Sequence, residues 1–335
     1  MKDGLASVII VNYNGREYLD GCLLSLSKQT YANYEIVIVD NNSTDLSVEF
    51  IEQNYLNRVS IVRNDKNYGF ARGNNIGIMK AKGEYILTLN NDTLVDPRWI
   101  EELVKGANSA PNIGSCASMI YYADKPKIID SVGMCIYRDG NSKQRGWKKV
   151  DVGQYKKQEE VLCPSACAAL YKRRMLDDIG LFDEDFFAYC EDTDLGLRAR
   201  AMGWTSVFIP SAIVYHFYSG TTSKYSALKM FMVERNHYWV VIKNYPFWCL
   251  FAVPFYSLVR FCVQISSLFN LDQRSLKKDK LLLCLIKAYW DLILRFPNVI
   301  RKRKNIKEKK TISNKEMSAL LQRFCLKPSD LVLQD

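Results

Sequence analysis

The strongest constraint on what this chain can fold into is a rhythm in residues 1–90, where short Val/Ile-rich runs closed by Asn or Asp alternate with stretches of helical spacing. The apolar runs are "ASVIIVNYN", "YEIVIVDNN", "VSIVRN" and "YILTLN". They are short, β-branched and without polar alternation, which marks strands buried on both faces. Between the first two, "GREYLDGCLLSLSKQT" places Leu19, Leu23 and Leu26 on one helical face, and further helices are expected around Val48–Tyr55 and about Gly73–Lys82. A βαβαβαβ order predicts an α/β fold with a Rossmann-like, mostly parallel central sheet and flanking helices. Ligands of such folds gather at the carboxyl ends of the strands.

Those ends are all polar. Asn12 and Asn14 follow the first run, and Asp40, Asn41, Asn42, Ser43 and Asp45 the second. Asn64 and Asp65 follow the third, and Asn90, Asn91 and Asp92 the fourth. Any one set would serve as an ordinary turn or helix cap. Four sets on one edge of a sheet point to a ligand. Neither GxGxxG nor GxxxxGK[ST] occurs, which argues against a dinucleotide enzyme and a P-loop ATPase.

"VIIVNYNGREYLDGCLLSL", "IVIVDNNSTD", "NYGFARGNNIGI", "YILTLNNDT" and "FDEDFFAYCEDTDLGLRARAMGW" together resemble the inverting family 2 glycosyltransferases of the GT-A fold, most of all the rhamnosyltransferase-like branch. The resemblance covers about residues 5 to 240. It implies transfer of one sugar, with rhamnose a candidate, from a nucleotide-diphosphate donor (dTDP or UDP) to a hydroxyl of a lipid-linked or cell-surface glycan acceptor. Inversion at the anomeric carbon and a divalent metal, Mg²⁺ or Mn²⁺, are implied with it, and no nucleic-acid partner. The QxxRW motif of processive relatives is absent, so single additions are expected.

The chemistry gives reasons for particular residues. A diphosphate leaves with concentrated negative charge, and a hard cation held by one or two carboxylates relieves it. Asp92 is the carboxylate expected to do so. It matches the last Asp of the family's DxD motif, whose first Asp is replaced here by Asn90, leaving Asn90 and Asn91 for the donor. His216, in "AIVYHFYSGTT", taken alone reads as an ordinary core histidine, but it matches a metal-ligating His of similar enzymes. The acceptor hydroxyl needs a base. By resemblance that base is Asp192, with Glu191 beside it to orient the acceptor, while Asp194 and Arg198 have the spacing of a helical ion pair. Donor recognition is assigned to Asn12, Asn14, Asp40 and Asn42, and to a loop "NYGFARGNN" carrying Asn67, Arg72 and Asn75. "CPSACAALYKRR" resembles a stretch lining the sugar pocket, with Ser165 where the family often has Gly. Two other readings compete: a nucleotidyltransferase making nucleotide sugars, and a catalytically weak sugar-nucleotide-binding scaffold.

The C-terminal third differs in character. The net charge of +10 is concentrated in Arg295–Lys310, where eight basic residues meet one Glu308. Charge alone admits nucleic acid or an anionic membrane surface as partner. Phe247 to Phe269 is 23 residues with Arg260 its single charge, just long enough to span a bilayer core. Pro254 and the basic residues beyond it favour helices lying in the interface over one span. The expectation is therefore a glycosyltransferase domain over 1–240 and a helical, membrane-associated segment with a basic tail over 241–335. The protein would sit on the cytoplasmic face of the cell membrane, peripheral or monotopic. Ten scattered cysteines without metal-site spacing read as reduced thiols, and no secretion signal is evident at the N-terminus.

Overall fold

The computed structural model describes residues 2–218, 227–268 and 278–331, with side chains of 264–268 and 278–282 excepted. β1 (Lys2–Asn12), α1 (Arg16–Leu26), β2 (Tyr34–Asp40), α2 (Ser47–Tyr55), β3 (Ser60–Arg63), α3 (Gly69–Lys80) and β4 (Gly83–Asn90) follow the expected alternation. Next come β5 (Thr93–Val95), α4 (Trp99–Ala107), β6 (Ile113–Tyr122), β7 (Lys125–Ser131), β8 (Met134–Ile136), β9 (Ser142–Gln144), β10 (Glu159–Val161) and β11 (Ala168–Lys172). The chain continues with α5 (Arg173–Ile179), α6 (Glu191–Ala201), β12 (Thr205–His216), α7 (Ala227–Asn244), α8 (Phe247–Leu250), α9 (Val253–Leu268), α10 (Lys278–Lys309) and α11 (Asn314–Arg323).

The main sheet has the order β10-β12-β6-β11-β4-β1-β2-β3, with β5 on β12 and β7 on β6. β3, β2, β1 and β4 are parallel neighbours. β11 runs antiparallel to both β4 and β6, and β12 runs parallel to β6. The carboxyl ends of β1, β2, β4, β6 and β12 therefore share one edge. Register then decides which residues meet there. Asn12 pairs with Asp40 across β1 and β2, and Thr93 of β5 pairs with His216 of β12, next to Asp92. β12 keeps Pro210 by slipping register between Ile209 and Ile213, which suits a residue without an amide hydrogen.

The core under this edge is the apolar pattern of the sequence made solid. Val8, Ile10, Ile38 and Leu87 of the strands pack with Leu19 and Leu23 of α1 and Trp99 and Leu103 of α4, each at most 2% exposed. Burying each such side chain contributes about 1.5–3 kcal/mol relative to exposure. α3 starts four residues earlier than expected, at Gly69, so Arg72 and Asn75 belong to a helix and not to a loop. The reason lies far along the chain: the Phe187 carbonyl accepts hydrogen bonds from the amides of Phe70 (2.7 Å) and Ala71 (3.1 Å), satisfying a helix start. Gly69 has φ +78°, and a Cβ there would lie 2.6 Å from that carbonyl oxygen.

The chain divides into two compact units. One comprises Met1–Met134, Gln144–Ala199 and Trp204–Thr221, and the other Cys135–Lys143, Arg200–Gly203 and Thr222–Asp335. Within the second, α10 packs along α7. The 23-residue apolar stretch is broken there into α8 and α9, and Pro254 falls in the first turn of α9, where its missing amide hydrogen costs nothing. Arg260 is fully buried, with Nε 2.6 Å from Asp139 and Nη1 2.7 Å from Glu234. Among the described residues no helix is long and apolar enough to cross a membrane. Phe269, the end of the expected 23-residue stretch, lies outside the described residues.

Candidate active site

Hydrogen bonds join the ends of β1, β2 and β4 into one set. Asn12, fully buried, donates through Nδ2 to Asp40 Oδ1 (2.9 Å) and Ser43 Oγ (3.0 Å), and accepts at Oδ1 from Asn91 Nδ2 (2.7 Å). Asp40 also accepts from the amide (2.9 Å) and hydroxyl (2.6 Å) of Ser43. Asn12 and Asp40 thus organise the edge from beneath. Asn14 and Asn42, with φ of 51° and 64°, stand exposed on top of it in the left-handed region that asparagine tolerates. Gly15 makes room for this arrangement: a Cβ on it would lie 1.9 Å from Asn91 Nδ2.

α3 supplies the neighbouring wall. Asn67 Oδ1 accepts from the Gly69 amide (2.8 Å) at the helix start. Arg72 is 46% exposed, stacks over the Tyr68 ring at 3.9 Å, and lies 3.7 Å from Glu184. An exposed pair of that kind contributes at most about 1 kcal/mol, which leaves the guanidinium able to turn to a phosphate. Asn75 is placed differently. Its carboxamide is buried and exchanges two hydrogen bonds with the Phe182 backbone (2.8 and 3.0 Å), so it braces α3 against the segment leading to α6 and is not placed to meet a donor.

Asp92 and His216, assigned to a metal, are brought together, with Asp92 Oδ1 3.3 Å from His216 Nε2 and both side chains buried. Two cis ligands of an ion with bonds of about 2.1 Å stand about 3 Å apart, so the pair fits a divalent cation. The far ring nitrogen, Nδ1, lies 2.8 Å from Asp130 Oδ2. A carboxylate behind a ligating histidine fixes its ring and tautomer. Asp130 escapes a sequence reading because "KPKIIDS" carries no motif; the one available signal is an acid closing an apolar run. Pairing of β7 with β6, beside β12, carries it under the imidazole. Burial opposes a charged imidazole, but Cys167, Asp130 and Asp92 outweigh it and hold His216 well above its usual range. A cation at Nε2 would take the place of that proton. Among the described residues no group of three or more His, Cys, Asp or Glu side chains is arranged to hold a metal. Two protein ligands, with phosphate and water completing the shell, is the pattern expected of Mg²⁺ and related hard ions.

The carboxylate pair opens α6. Asp192, half-buried, accepts from the Thr193 amide (2.7 Å) and the Ala166 amide (3.4 Å). Burial raises its pKa, against those amide bonds. Glu191 is more deeply buried, and burial followed by the Asp192 charge pushes it up to about 8. At neutral pH Glu191 therefore holds its proton. Phe187, Tyr189 and Cys190 just before α6 all have positive φ, strain that the α3 clamp on the Phe187 carbonyl holds in place. Asp194 pairs with Arg198 at 2.9 Å in the interior, and Arg198 also donates to the carbonyls of Ile179, Gly180 and Leu181, so both are structural.

One short stretch connects the two halves. The Ala166 amide reaches Asp192, while the next residue, Cys167, has its thiol beside His216 and accepts at its carbonyl from the Asn90 amide (2.8 Å). Burial raises the Cys167 thiol, against the opposing effect of His216. His237, given no role on sequence grounds, is fully buried against the Asp139 carbonyl (2.9 Å) in the second unit.

Comparison with known proteins identifies the family and the fold. Residues 7–180 match the family described as Glycosyl transferase family 2. The glycosyltransferase GlyG of Streptococcus pneumoniae is 41% identical over 101 residues, 30% of this chain and 34% of that protein. An uncharacterized glycosyltransferase of Haemophilus influenzae is 36% identical over 102 residues, 30% of this chain and 32% of that one. The aligned part thus spans about a third of those relatives' length. An N-acetylglucosaminyl-diphospho-decaprenol L-rhamnosyltransferase of Mycobacterium tuberculosis is 26% identical over 262 residues, covering 72% of this chain and 85% of that protein. Two solved structures share the fold. GalNAc-T7 with UDP, GalNAc and Mn²⁺ has a TM-score of 0.60 at 18% identity, covering 87% of this chain and 58% of that one. S. aureus TarS 1-349 in complex with UDP has a TM-score of 0.56 at 17% identity, covering 95% and 90%. The chain belongs to glycosyl transferase family 2.

Proposed function

We propose that the protein transfers a single sugar, with rhamnose the first candidate, from a dTDP- or UDP-linked donor to a hydroxyl of a lipid-linked or cell-surface glycan. Transfer takes place in one inverting displacement at the cytoplasmic face of the cell membrane. The observation that carries this reading is the contact of consecutive residues Ala166 and Cys167 with Asp192 on one side and His216 on the other. An inverting displacement needs a base for the attacking hydroxyl and charge relief for the leaving diphosphate, and the two candidates meet on adjacent residues. Asp192, fixed by two amides, takes the hydroxyl proton as the new C–O bond forms. Glu191, protonated at neutral pH, orients the acceptor without competing for that proton. Mg²⁺ or Mn²⁺ held by Asp92 and His216 would neutralise charge on the departing diphosphate. Asn14, Asn42, Asn67 and Arg72, at the edge of the sheet and the start of α3, bind the nucleotide and its phosphates. The names of the M. tuberculosis relative and of the UDP-bound structures support the acceptor and donor classes.

A thermal-shift screen of nucleotide sugars with Mn²⁺ tests the donor half. A true donor at about 100 times its Kd stabilises by about 2.7 kcal/mol. A response to nucleoside triphosphates with release of pyrophosphate, and none to nucleotide sugars, would turn the reading to a nucleotidyltransferase.

A further inference from the structure

The second unit carries a surface that sugar transfer leaves unused. From Leu283 to Ile300 α10 turns apolar side chains outward. Cys284, Ala288 and Val299 are buried, while Leu283, Ile286, Trp290, Ile293 and Ile300, spaced three, four or seven residues apart, are 41–63% exposed. Such spacing puts them on one face, turned away from the buried one. Phe247, Trp248, Phe251, Phe255 and Leu258, from α8 into α9, are 51–74% exposed. The two stripes are neighbours, because Tyr238 of α7 donates to Ser257 of α9 (3.0 Å) and meets the Tyr289 hydroxyl of α10 (3.0 Å). A helix facing water normally presents its polar side, and exposed apolar patches of this extent mark a docking surface.

Charge selects what docks. α10 continues past Ile300 into Arg301, Lys302, Lys304, Lys307 and Lys309, with Glu308 the one acid among them. A second copy of the chain would bring a second basic run against the first, which like-charge repulsion disfavours. Anionic headgroups complement it, and tryptophan and tyrosine beside aliphatic residues are the composition of helices that lie at a headgroup boundary. We propose that α8, α9 and α10 form a docking face for an anionic lipid bilayer. On it α10 lies flat in the interface, its apolar stripe toward the acyl chains and its basic turns on the headgroups. The face lies outside residues 7–180 that match the family, and it does not depend on the assignment of catalytic roles, since binding is read without donor or acceptor.

The test is co-sedimentation of the full-length protein with phosphatidylcholine vesicles with and without phosphatidylglycerol. The protein should bind the anionic vesicles at least tenfold more tightly. Trp290→Glu with Ile293→Glu should abolish binding to both kinds of vesicle. Lys304→Glu with Lys307→Glu should remove the anionic preference, roughly fivefold or more per lysine. All four positions lie on the exposed surface or in the basic turns, so melting temperature and UDP binding should stay at wild-type values, separating this proposal from the catalytic one. Failure of the wild type to sediment with either vesicle, or equal binding to both, would overturn it. So would a dimer in solution that the Trp290→Glu, Ile293→Glu variant dissociates while lipid binding is absent, which would assign the face to a second copy.

Discussion

Replacing Glu191 by glutamine should change how stability depends on pH, by an amount that follows from its burial. In the unfolded chain a glutamate titrates near 4.5, whereas in the fold burial and the adjacent Asp192 charge raise Glu191 to about 8. Between those values the folded protein keeps a proton that the unfolded chain has released. The stability due to protonated Glu191 is therefore fully present below pH 4.5 and lost as pH rises toward 8. The slope approaches about 1.4 kcal/mol per pH unit, or about 3 kcal/mol between pH 5.5 and 7.5. With an unfolding entropy of about 2 cal/mol/K per residue, that is about 4 °C in melting temperature. Glu191→Gln keeps the shape and removes the titration. Differential scanning fluorimetry of both proteins across that range reads the effect of Glu191 with its coupling to Asp192, because groups that do not interact with Glu191 cancel in the difference. The variant's melting temperature minus that of wild type should grow by about 4 °C as pH rises from 5.5 to 7.5. Parallel curves would mean that Glu191 ionises near the ordinary carboxylate range, and that it is not the protonated neighbour of Asp192.

Asp192→Asn should lower kcat by about 10²–10⁴-fold while donor affinity stays near wild type; a crippled Glu191→Gln beside an active Asp192→Asn would reverse the two roles. Asp130→Ala should weaken Mn²⁺ binding, measured by electron paramagnetic resonance in the presence of nucleoside diphosphate, by about 10–100-fold. An unchanged affinity would show that the imidazole needs no such support. Gly69→Ala forces a side chain into a left-handed position 2.6 Å from the Phe187 carbonyl. It should displace the strained segment before α6 and reduce kcat more than donor affinity, and wild-type kinetics would refute the coupling of α3 to the carboxylates.

How far the sequence could be read depended on whether a feature was local. Strands β1, β2 and β4 and the Leu19, Leu23 and Leu26 face of α1 were legible because burial on both faces, or on one helical stripe, writes itself into consecutive residues. That Asp92 would lie near His216, and that Asp192 would open a helix, could be expected because each sits in a recognisable string. Asp130 was not, since only strand pairing brings it to His216 across 86 residues. Asn75 looked like a donor contact because its partner, the Phe182 backbone, is 107 residues away. The break of the apolar stretch at residues 251–252 had a visible cause in Pro254. The burial of Arg260 had none, because Asp139, its counter-ion, lies 121 residues earlier. A charge in an apolar run reads as a surface residue until its partner is known.

The central claim is that Asp192 and the Asp92–His216 pair together perform an inverting sugar transfer. The most direct test is to follow purified protein, nucleotide sugar and glycan acceptor by NMR with Mn²⁺ present, then after excess EDTA, then after Mn²⁺ is restored. The account predicts nucleoside diphosphate and glycoside in equal amounts, opposite anomeric configuration in donor and product, arrest on chelation and recovery on adding metal. Retained configuration, or an undiminished rate in EDTA, would contradict it.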